Sequence, residues 1–132
     1  MMKMNKLAIL LLLLLLTFPV NADNEEMWLQ LKDDFHMLIA ETFHPAEEGD
    51  LAPLKEKSKE LYTSAKKWHL AKVPPKFTDD RLNELLKEMH EESKNIHDNL
   101  QSLNDEELMK KIYHLHDLFH EAAEIVYHKK KS

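Results

Sequence analysis

The chain has 132 residues, nine histidines, one glycine and no cysteine, and its 24 acidic and 18 basic side chains give a net charge of −6 with neutral histidines. That acidity argues against a nucleic-acid partner, whose phosphates call for a basic face, and is compatible with cations. The missing cysteines exclude disulfide stapling and the C-x-x-C-H attachment of covalent c-type haem.

The first stretch reads as a signal peptide over residues 1–22. Lys3 and Lys6 form a basic start, and the apolar run from Leu7 to Val20, broken by Pro19, is shorter than the roughly 20 residues a membrane span needs. Val20-Asn21-Ala22 puts small residues where signal peptidase reads them, so cleavage is expected near Ala22. No cysteine follows to carry a lipid anchor. The expected product is a periplasmic or secreted domain over residues 23–132 that does not insert into the membrane. With Lys3 and Lys6 removed from the 18 basic residues and all 24 acidic ones kept, its net charge is −8.

Leu, Glu, Lys, Met and Ala dominate this domain and β-branched residues are scarce, which predicts an all-α chain. A first helix is predicted over about 25–43, capped by Asp23 or Asn24, with Trp28, Leu31, Phe35, Leu38 and Thr42 as its seam. His44-Pro45 should end it, because a residue before proline avoids the α region. A second helix is predicted from after Asp50 to about His69, with Leu51, Leu54, Ser58, Leu61, Ala65 and Trp68 inward. The connection KVPPKF cannot be helical throughout. A third helix is predicted over about 79–101 behind Thr78, carrying Leu82, Leu86, Met89, Ser93, Ile96 and Leu100. Asn104 and Glu107 form a box-like start to the fourth, which carries Leu108, Ile112, Leu115, Phe119, Ala122 and Val126. Four such helices on short loops predict an up-down-up-down antiparallel four-helix bundle.

The fourth helix contains the stretch HLHDLFH. His116 and His120 are four apart and share a face beside the seam residues Leu115 and Phe119. On the first helix His36 flanks the seam, with Ile39 and Phe43 on the same side. If the fourth helix overshoots the first by about one turn, His36 lies level with His116 and within a turn of His120. Three imidazoles on facing helices would suit Zn²⁺, Cu²⁺ or Ni²⁺, and ligand type does not choose among them. His44 lies two turns from His36 and joins only if the helix end bends inward; it could alternatively serve a second site with Glu47 or Glu48, or act as a cationic helix terminus. His90 and His97 should form an edge facing Tyr62 and His69. His114 and His128 should face solvent. Asp33 and Asp117, in carboxylate-x-x-His pairs with His36 and His120, fall at outermost positions, unlike the inward pattern of di-metal bundles. No Ser-His-Asp set or Gly-rich phosphate loop is present, so the chain is not expected to be an enzyme.

The string TFHPAEEGDL over 42–51, followed by Trp68, Pro74 and Leu115-His116-Asp117-Leu118-Phe119-His120, resembles a group of uncharacterised exported bacterial helical proteins. That resemblance marks His36, His44, His116 and His120 and implies no activity. More distantly, the bundle order, Pro74-Pro75-Lys76-Phe77 and Tyr127-His128-x-Lys130 resemble the exported cytochromes of the c-prime and soluble b-type superfamily. In the b-type members a Met near the start of the first helix and a His near the end of the last hold haem. Met27 and His128 are the nearest matches, which would make the chain a haem b electron carrier with a redox partner protein.

Three readings therefore stand: an exported bundle binding a transition metal through His36, His116 and His120, with His44 as a further candidate, for storage, buffering or sensing; a haem b electron carrier; and a ligand-free helical interaction or stress protein.

Overall fold

The computed structural model describes the backbone of residues 20–132 and the side chains from Asn24 onward; most of the expected signal peptide therefore lies outside the described residues. Among the described residues, four helices, α1 (Val20–Glu47), α2 (Ala52–Leu70), α3 (Asp80–Asp98) and α4 (Asp105–Lys131), are joined by short connections, with a single 3₁₀ turn at Pro75–Phe77 between α2 and α3. Among the described residues, backbone contacts between helices run α1–α2, α2–α3, α3–α4 and α4–α1. This is the expected all-α, up-down-up-down four-helix bundle. Of the four neighbouring pairs, α4 and α1 touch least.

The seams explain why it closes. All six seam residues expected of α2 are buried, as are all six expected of α4. On α1 the buried face is turned toward one flank: Ile39, Phe43 and Ala46 join Trp28, Phe35 and Thr42, while Leu31 and Leu38 stay partly exposed. Two buried hydroxyls are satisfied within their own helices, Thr42 Oγ1 donating to the Leu38 carbonyl (2.8 Å) and Ser93 Oγ to that of Met89 (2.7 Å), while Ser58 Oγ meets His97 Nδ1 on α3 at 3.0 Å.

Helix ends differ from the sequence expectation in four places, two on α1 and two on α3. The backbone of α1 is helical through Asp23 and Asn24, so neither caps it, and it continues through Pro45 to Glu47. What ends it is Gly49, at φ 87°: the Gly49 amide donates to the Ala46 carbonyl and the Asp50 amide to that of Pro45, both at 2.9 Å. Those two bonds are a Schellman cap, which satisfies the last carbonyls and lets a proline sit inside the final turns. The cap of α3 is Asp79 rather than Thr78, its carboxylate accepting from the Leu82 amide at 2.9 Å. That helix stops at Asp98, and Asn99 caps it, its backbone N–H (3.1 Å) and its Nδ2 (2.9 Å) both donating to the Asn95 carbonyl. The start of α4 is as expected: Asn104 and Glu107 exchange both bonds of a capping box, at 2.8 and 3.0 Å.

An aromatic cluster fills the bundle. Trp28 lies 5.6 Å from Trp68 between ring centroids, Phe35 packs against Trp68 and Phe119, and Trp68 also meets Phe119 at 6.2 Å. The 3₁₀ turn contributes Phe77, fully buried and stacked on Trp28 at 5.1 Å, so this connection is part of the core. Each tryptophan buries its indole N–H without an acceptor. That omission costs about 1–3 kcal/mol apiece, less than the roughly 4–6 kcal/mol expected from burying 150–250 Å² of ring.

Phe77→Ala is accordingly expected to lower stability by about 3–5 kcal/mol, whereas His114→Ala on the exposed face should change it by less than about 0.5 kcal/mol. Urea unfolding midpoints would measure both; equal midpoints would show that the 3₁₀ turn does not anchor the bundle.

Candidate metal centre

Fixing Phe119 in the core sets the positions of its neighbours. At 100° per residue, His116 projects about 60° and His120 about 100° from Phe119, both on the same side of α4. Their exposure follows that grading: the His116 side chain is 21% exposed, and His120 is in solvent. The two rings meet edge-on, and His116 Nε2 lies 2.9 Å from His120 Nε2. One ring must donate and the other accept, so at most one proton fits between the two nitrogens.

His116 is backed by α1. Its ring stacks on Phe43 at 3.6 Å and 10°, and Asp117 lies 4.0 Å from its Nδ1, too far for a hydrogen bond. Burial, with His120 beside it, holds its pKa below the ordinary histidine value of 6.5, against the smaller opposing pull of Asp117 and Glu47. The dominant state is a neutral imidazole, the form that binds metals.

The remaining candidates are not all gathered here. The His36 ring stacks on Phe119 at 4.8 Å, while Phe43 is what lies against His116 and Tyr113, so His36 sits level with Phe119 and His120 rather than with His116. His36 and His120 line one open groove of about 480 Å³ with Lys32, Phe119, Ala123, Glu124 and Tyr127. His44 remains exposed, its Nδ1 3.1 Å from Glu47 Oε1, so α1 does not bend it inward. Among the described residues no three His, Asp or Glu side chains converge on one point. The expected three-histidine set is thus present as a close pair with His36 one groove away. A second groove, about 380 Å³ between α1 and α2 over Leu31 and Leu38, carries no histidine.

No family model, curated protein or solved structure matches this chain. The site must therefore be read from its own geometry.

Met27 and His128, the residues matched to the haem ligands, both lie on the surface of the bundle. Met27 is 59% exposed and borders a small hollow with Ala71 and Lys72 on the α2 side. The exposed His128 side chain lies 3.7 Å from Glu124 on its own helix. Trp28, Trp68, Phe77 and Val126 fill the interior at that end of the bundle. No helix among the described residues is long and apolar enough to cross a membrane. As expected, His114 faces outward; it shares an outer groove with Glu88, Glu91 and Glu92.

Depressed proton affinity makes the metal-free fold acid-sensitive. His116, and His90 on α3, have folded pKa values below 6.5, so as pH falls through 6.5 the unfolded chain takes up protons that the folded chain refuses. Stability is then fully present above about pH 6.5 and is lost as pH drops below it toward the folded values. Thermal melts of chelator-treated protein at pH 7.5 and pH 5.5 should differ in that direction. The difference should shrink in His116→Gln, and an unchanged difference would remove this residue as a cause.

Proposed function

We propose that the protein is an exported four-helix bundle that binds a transition-metal ion through His116 and His120, for storage, buffering or sensing. The supporting observation is the 2.9 Å separation of the two Nε2 atoms at the solvent edge of α4. A metal ion would replace the shared proton, lying to one side of the line between the two nitrogens and accepting a lone pair from each ring. With metal–nitrogen bonds of about 2.05 Å, cis ligands at 90° stand about 2.9 Å apart and ligands at the tetrahedral angle about 3.3 Å. The pair therefore fits tetragonal Cu²⁺ or Ni²⁺ with only ring rotation, and takes Zn²⁺ by opening about 0.4 Å.

Two imidazoles leave coordination positions for water and for side chains that swing in. His36, across the groove, is the first candidate, and His44 with Glu47 on the side of Phe43 the second. Phe43 holds the His116 ring by stacking, while the buried Phe119 fixes the backbone from which both ligands extend. The acidic mature chain favours cations at its surface.

Isothermal titration of the purified protein with Cu²⁺ and Ni²⁺ should give a site that disappears in His116→Ala/His120→Ala. His36→Ala is expected to weaken it by about tenfold or less, since His36 is at most an additional ligand. Binding unaltered in the double variant would overturn the reading. A Soret band in protein from its own periplasm would instead support haem.

A further inference from the structure

We propose that His69 and His90 form a second transition-metal site, between α2 and α3, on the face of the bundle opposite the His116–His120 pair. The proposal is independent of that first site.

The two rings come from different helices and lie 5.4 Å apart between centroids, at 31° to one another. Imidazoles sharing one ion at the tetrahedral angle, with bonds of about 2.05 Å, have centroids about 5 Å apart. His90 Nε2 is buried and has no hydrogen-bond partner. A buried imidazole nitrogen without a partner is costly, and a metal ion is one chemical group that would satisfy it. The surroundings hold the His90 ring in place. Tyr62 stacks on it at 5.5 Å and 12°, and also stacks on His97 at 6.1 Å and 6°. His97 is already engaged, its Nδ1 3.0 Å from Ser58 Oγ, so it acts as a structural neighbour.

The charges acting on His90 are mixed. Lys66 and Lys94 disfavour a cation, Glu91 favours one, and Lys94 is tied to Asp98 at 3.0 Å. Burial, followed by His69 and Lys66, keeps the His90 imidazole below its ordinary pKa, in the neutral form that coordinates. Two protein ligands from adjacent helices, with water completing the shell, would bind Zn²⁺ and cross-link α2 to α3 close to the proline connection. His69 is in the last turn of α2 and His90 near the middle of α3, so such a link ties the end of one helix to the body of the next.

Zn²⁺ titration of the purified protein against a colorimetric chelator, with ring resonances of the histidines followed by NMR, tests the assignment. In the His116→Ala/His120→Ala variant one equivalent of Zn²⁺ should still bind, shifting His69 and His90. Adding His69→Ala, a partly exposed position at the end of α2, should abolish that equivalent while the far-ultraviolet circular dichroism stays unchanged. His90→Gln, which keeps a polar side chain beside Tyr62, should do the same. Retention of the equivalent in both variants, or shifts confined to other histidines, would overturn the proposal. Loss of the first site alone would leave this one standing.

Discussion

The placement of Phe119 is the constraint from which the candidate chemistry follows. This ring is buried against Phe35 and Trp68, and its backbone position determines where one helical turn on either side points. Were α4 rotated by a single residue, His120 would take the place of Phe119 in the core and an imidazole would have to find partners among apolar side chains. Large aromatic rings resist such rotation because their burial supplies much of the packing energy. The seam that closes the bundle and the edge that carries His116 and His120 are therefore set by the same residue.

Three of the histidines lie with a ring face against an aromatic side chain. His116 lies on Phe43, His36 on Phe119 and His90 on Tyr62. Stacking of this kind recovers apolar contact for one face of a polar ring while leaving its edge nitrogens free. Desolvation lowers proton affinity, and a lower proton affinity reduces competition between protons and metal for the same lone pair. The arrangement thus couples packing to ligand availability. Its consequence is a fold less stable in acid and, in the same pH range, a weaker ligand for cations.

Much of the architecture was legible in the sequence because 3-4 spacing survives folding. The inward residues of α2 and α4 follow directly from it, as does the capping box at Asn104. The aspects that were not legible depend on non-local geometry. A Schellman cap at Gly49 overrides the usual effect of Pro45, since only the folded backbone shows which carbonyls those amides can reach. The axial offset between α1 and α4 is set by interlocking aromatics, and it places Phe43, not His36, against His116. A shift of about one turn is invisible to periodicity within either helix, yet it separates a three-ligand cluster from a pair with a neighbour. The grouping of His90 and His97 with Tyr62 and His69 was readable, because adjacent helices joined by a short loop have little freedom of register.

Two-ligand sites carry a functional implication of their own. Structural zinc sites are closed by four protein ligands and contribute directly to folding. Here a continuous aromatic core already holds the helices together, so bound metal would add to stability rather than create it. An ion held by two imidazoles keeps positions for water, for His36, or for a ligand brought by another molecule. Such coordination allows exchange, since an incoming donor can bind before an outgoing one leaves. A closed cage favours retention; an open pair on the rim of a groove favours transfer, which is the property that buffering and sensing require.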